Sequence, residues 1–129
     1  MNAYQMYRQT QAQTAAPGEL VVMLYRGAVR FVTSAIEGIE SKDIAAAHDG
    51  LVRAQAIITE LHHTLDMQRG GDVARNLAGI YEYMSNRLVE ANIHKDAAPA
   101  REVQTLLREL LPAWEAAVRQ TGALVGAGR

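Results

Sequence analysis

The chain has 129 residues and a mass of 14.1 kDa, room for one hydrophobic core but not for two. Thirteen basic residues against fourteen acidic ones leave a formal net charge of -1. No large positive field is available to displace counterions from a phosphate backbone, so nucleic acid is not an expected partner. There is no cysteine, hence no disulfide and no thiolate metal site, which fits a reducing compartment.

Residues 1–16 are polar, with four Gln and no helical stripe, yet they gather Tyr4, Met6 and Tyr7. They read as a mobile arm with an apolar hook, and they lack the apolar core of a signal peptide. No apolar run approaches the length of a bilayer span, so neither membrane insertion nor secretion by the usual signal is expected, and the cytoplasm is the expected location. Pro17 opens a first helix, because its missing N–H costs nothing in a turn whose donors have no partner. That helix is expected over Pro17 to Glu40, with Arg26, Arg30, Thr33, Glu37 and Glu40 as a narrow polar stripe and apolar side chains on most other sides.

Ser41 is the expected N-cap of a second helix, whose Ile44, Ala47, Leu51, Ala54, Ile58, Leu61 and Leu65 alternate three and four apart. Gly70 and Gly71 break the pattern, and Asp72 is expected to cap a third helix reaching about Asn92. Its main seam reads Val73, Leu77, Ile80, Met84 and Ala91. A second stripe of Ala74, Ala78, Tyr81 and Leu88 lies one step around, its small members able to admit another helix. Asp96 then caps a fourth helix with Pro99 in its first turn, Val103, Leu107, Leu110, Trp114 and Ala117 on one face, and an expected kink at Pro112. Four helices joined by short connections predict an all-α, antiparallel up-down-up-down four-helix bundle: an arm over 1–16, the bundle over 17–121 and a flexible glycine-containing tail over 122–129.

Two kinds of bundle chemistry come into question. Glu60 and His63 have the Glu-x-x-His spacing of di-iron bundles, but such sites need a second copy of the motif and two further Glu; the chain has no second copy, so no metal or other cofactor is expected. A histidine phosphotransfer bundle needs an exposed His beside a basic residue, whereas His48 precedes Asp49, and His62 lies near Glu60 and Asp66. No Gly-rich phosphate loop or recognisable catalytic triad appears either, so the sequence predicts neither an enzyme nor a small-molecule substrate. The arm and the second stripe on helix 3 suggest instead a groove for a partner, closed by a flap.

The run Thr14-Ala15-Ala16-Pro17-Gly18-Glu19-Leu20-Val21-Val22-Met23-Leu24-Tyr25-Arg26-Gly27-Ala28 resembles the opening of helix 1 in the FliS family of flagellin export chaperones, preceded as there by a Tyr-rich arm. Leu77-Ala78-Gly79-Ile80-Tyr81-Glu82-Tyr83-Met84, Leu88, Ala91-Asn92, Asp96 and Trp114 continue the resemblance in the same order and with similar spacing. Ala16 stands where the family often has Ser, which leaves Thr14 as a substitute cap; Arg26 replaces a commonly acidic residue, and Pro112 lies in a helix that is usually straight. The resemblance implies a cytoplasmic chaperone that binds the disordered C-terminal segment of flagellin, prevents its premature polymerisation and helps deliver it to the flagellar export gate. The partner surface expected on this basis comprises Tyr4, Met6, Tyr7, Ile57, Leu61, Ala74, Leu77, Ala78, Tyr81 and Leu88, with the arm filling it when flagellin is absent. A helical adaptor for another client is the alternative.

Overall fold

A computed structural model describes the backbone of residues 17–127 and the side chains of residues 18–120; the expected arm, with Tyr4, Met6, Tyr7 and the cap assigned to Thr14, lies outside the described residues. Four helices follow one another: α1 (Pro17–Glu40), α2 (Ile44–His63), α3 (Met67–His94) and α4 (Ala97–Ala127). α1 packs on α2 and α4, and α3 closes the ring by packing on the same two, so α1 faces α3, and α2 faces α4, across the diagonals of a four-helix bundle. α1 has the bounds read from the sequence. α4 continues to Ala127, past the expected start of the tail at residue 122, and is not broken at Pro112.

Two connections at one end of the bundle are built alike. Lys42 and Lys95 adopt left-handed backbone conformations with φ of 61° and 49°. The next residue's N–H then reaches back to an orphan carbonyl of the finished helix: Asp43 N to Gly38 O at 2.8 Å, and Asp96 N to Ala91 O at 3.1 Å. Each Asp turns at once to the next helix, Asp43 accepting from Ala46 N at 3.1 Å and Asp96 from Ala98 N at 2.9 Å. The cap of α2 is therefore Asp43 and not Ser41. Ser41 still belongs to the end of α1, its N–H bonding Glu37 O, because the left-handed turn at Lys42 must come first.

The connection at the other end differs. α2 stops at His63, with Thr64 as its C-cap, and Leu65 lies half-buried beyond it. Asp66, not Asp72, caps the first turn of α3, accepting from Gln68 N at 3.2 Å and Arg69 N at 3.0 Å. The expected glycine break is present five residues after Asp66, where Gly71 has φ 53° and ψ -130° at the end of the helix's first turn.

The core runs through the bundle from Val21, Leu24, Tyr25, Ala28 and Val32 on α1 to Ala100, Val103 and Leu107 on α4. α1 and α2 approach closely at glycine: a methyl group on Gly50 would lie 2.8 Å from Phe31 O, and one on Gly38 would lie 2.7 Å from Ala47 N. Only a residue without Cβ fits such backbone-to-backbone contacts.

Candidate partner-binding surface

The bundle end that carries Gly71 is not filled. Leu20 and Val21 of α1, Thr64 and Leu65 of the α2–α3 connection, Val73, Ala74 and Leu77 of α3, and Trp114 of α4 line a largely apolar groove of about 630 Å³, with Asp66 and Arg69 at its rim. Of the apolar side chains that line it, Leu20, Leu65, Leu77 and Trp114 are only half-buried. Val73 is 67% exposed and Met67 is 45% exposed. Exposed apolar surface of this extent beside an open groove fits a protein partner better than a small polar ligand.

The groove is backed by a chain of rings. Trp114 lies 6.2 Å from Tyr25, Tyr25 lies 6.3 Å from Tyr81, and Tyr81 lies 6.4 Å from His62, all tilted and at ordinary contact distance for aromatic pairs. Tyr25 and Tyr81 share one hydrogen bond of 2.7 Å between their hydroxyls, across the α1–α3 diagonal. Burial pushes both phenols above their ordinary pKa, so both stay protonated and neutral throughout the physiological range. Trp114 lines the groove itself, and the buried, neutral Tyr25 and Tyr81 lie behind it.

A polar network occupies the far flank of α3. The Tyr83 hydroxyl donates to Glu102, and Arg87 pairs with Glu90 at 2.7 Å and Glu102 at 3.3 Å. The hydrogen bond from Tyr83 is the main reason the Glu102 carboxyl sits below its ordinary pKa. At the opposite end of the bundle, Asn92 Nδ2 donates to His48 Nδ1 at 3.0 Å, joining α2 to α3. Lys95 Nζ donates to Oδ1 of the same Asn92 at 2.6 Å.

The structure redistributes the expected surface residues. Leu61 and Leu88 are wholly buried, Tyr81 and Ile57 almost so, and all four belong to the core. Ile57 packs towards α1, its Cδ1 lying 3.2 Å from where a methyl group on Gly27 would stand. Ala78 is half-buried and outside the groove lining, whereas Ala74 and Leu77 do line it. The two stripes of α3 thus partly exchange roles: Ala74, Tyr81 and Leu88 of the second stripe face the core, and Val73 of the main seam faces out. The physical reason lies across the diagonal. Tyr81 turns inward, where its hydroxyl shares a hydrogen bond with that of Tyr25, 56 residues away in the chain. Leu20, Val21, Leu65, Val73 and Trp114 were not among the expected partner residues. The glycine break just before Val73 is the signal that could have pointed to them, because it interrupts α3 at this end and leaves Val73 in the first turn after the bend.

Comparison with known proteins agrees with the architecture. The family model described as Flagellar protein FliS matches residues 1–121. A flagellar secretion chaperone FliS of Bacillus subtilis is 37% identical over 118 residues, 92% of this chain and 87% of the relative. One from Salmonella typhimurium is 35% identical over 108 residues, covering 83% and 80%, and the flagellar secretion chaperone FliSB of Pseudomonas aeruginosa is 35% identical over 119 residues, covering 89% and 94%. With the family model matching residues 1–121 and these relatives covered over most of their length, this four-helix chain belongs to the FliS family of flagellar secretion chaperones.

Proposed function

We propose that this protein binds the C-terminal segment of flagellin in the cytoplasm, keeps it from polymerising early and assists its delivery to the flagellar export apparatus. The observation that carries the reading is the unfilled apolar groove beside Trp114, with exposed Val73 in its lining. A terminal segment that is disordered alone and amphipathic when helical would otherwise associate through its apolar face; a groove of this kind covers that face and can release it later. The task needs apolar burial and no reacting group, which favours a binding role over catalysis.

The N-terminal residues enter the same reading. Gly18 lines the groove, so the arm that precedes it is tethered at the groove's edge. Tyr4, Met6 and Tyr7 serve as an internal occupant that yields to flagellin, and the fraction of molecules already open then limits the apparent affinity.

Calorimetry with flagellin, with and without its C-terminal segment, tests the proposal. The expected result is a complex with a strongly negative heat-capacity change that disappears when the segment is removed. Equal affinity for the truncated flagellin would overturn it. Removing residues 1–10 is expected to tighten binding modestly; weaker binding would instead place the arm in direct contact with flagellin.

A further inference from the structure

The first turn of α3 is a separate piece of backbone. It is closed by its own hydrogen bond, Gly70 N to Asp66 O at 2.8 Å, and capped by the Asp66 carboxylate. The torsions that follow at Gly71, φ 53° and ψ -130°, fall outside the regions open to a residue with a side chain. Crowding does not explain the glycine, since no atom lies within 4 Å of where a Cβ would stand. The requirement is torsional alone. At Gly70 the reverse holds: a methyl group there would meet the Ala74 side chain at 2.5 Å, so the turn is folded back tightly onto the helix it precedes. This turn supplies one wall of the groove through Arg69 and Gly70, and the exposed Met67 and Val73 stand on either side of the bend.

We infer that Met67–Gly70 is a gate hinged at Gly71. A glycine can pass between these torsions and helical ones without steric penalty. In the bent form the turn forms a wall against a helical client lying in the groove, with Met67 and Val73 closing on the client's apolar face. In the straightened form the turn continues the axis of α3, and the wall is withdrawn, which lets the client enter or leave. The inference rests on the flagellin reading for the identity of the client, but not for the motion.

Gly71→Ala tests it, because the methyl group disfavours the bent torsions and favours the helical ones. Straightening gives the N–H groups of 72–74 the carbonyls of 68–70 as acceptors, so in free wild-type protein amides 72–74 are expected to exchange with solvent at least tenfold faster than those further along α3, and in the variant to slow to that rate. A peptide with the flagellin C-terminal sequence is expected to leave the variant at least tenfold faster than the wild type, followed by emission from Trp114, the chain's single tryptophan. Thermal melts of the two proteins should agree. Met67→Ser is expected to speed release without altering exchange in the free protein, which separates contact from hinge. Equal release rates for Gly71→Ala and wild type, or exchange at 72–74 in the free wild type as slow as further along α3, would overturn the gate. If the wild type fails to bind the peptide, the flagellin reading falls, and the exchange measurement still decides the hinge.

Discussion

The two ends of this bundle are made from similar helices and finished in opposite ways. At one end, matching Lys-Asp turns close α1 onto α2 and α3 onto α4, and the nearby side chains of Val32, Ala35, Ala47, Leu51, Leu88, Ala100 and Val103 are all without exposed surface. At the other end, Asp66 and Gly71 bend the chain back, Trp114, Leu20 and Leu77 stay half-buried, and a groove remains. The first end commits its apolar area to folding. The second holds some of that area in reserve, and on the function proposed above that reserve covers a client's apolar face. A client can then be bound without the bundle having to open.

If that division is right, substitutions at the two ends should separate stability from binding. The largest effect is expected at Leu88, which has no exposed surface. Leu88→Asp places an unpaired charge in the closed half and should cost on the order of 4–5 kcal/mol, seen in urea unfolding as a collapsed transition. A variant that melts like the wild type would mean this half is open after all. Gly50→Ala comes next, because the added methyl would stand 2.8 Å from Phe31 O and push α1 from α2. A loss of about 1–3 kcal/mol is expected from overpacking, measured in the same way.

A smaller loss is expected from alkali, and it probes the boundary between the halves. Tyr25 and Tyr81 both have pKa values raised above the ordinary 10.0 by burial. Above that pH the unfolded chain releases protons that the folded one retains, so stability is full below about pH 10 and falls as pH rises further. Thermal melts across that range should show the decline in the wild type and less of it in the doubly substituted Tyr25→Phe, Tyr81→Phe protein. The smallest effect on folding belongs to Val73, 67% exposed at the groove. Val73→Ser should alter stability by less than about 0.5 kcal/mol. Binding of the flagellin segment should nonetheless weaken about tenfold, as 1.4 kcal/mol of lost contact would give. Unchanged affinity would remove Val73 from the interface.

Much of this architecture could be read in advance from local chemistry. Pro17 at a first turn, Asp96 as a cap and the Gly70-Gly71 break are signals carried by neighbouring residues, and each lies where it was expected. Asp43 was missed because Ser41 is an equally good cap in isolation; only the hydrogen bonds around Lys42 decide between them. The rotation of α3 was missed for a different reason. Two adjacent apolar stripes compete to face the core, and the winner depends on Tyr25, far away in sequence, which neither periodicity nor capping can report. The groove itself is a property of four chain segments meeting at one end. Its lining was only partly anticipated, in Ala74 and Leu77.

The Tyr25–Tyr81 hydrogen bond has a bearing on the register in which the bundle forms. Amphipathic helices with short links can slide along a common axis, and apolar side chains alone discriminate weakly between the registers. Two phenols that meet across one diagonal impose a stricter condition. An axial slip that keeps both rings inside but parts their oxygens leaves two buried polar groups unpaired, at a cost of about 1–3 kcal/mol for each. The pair thus acts as a key for register, penalising slipped packings more than it strengthens the native one.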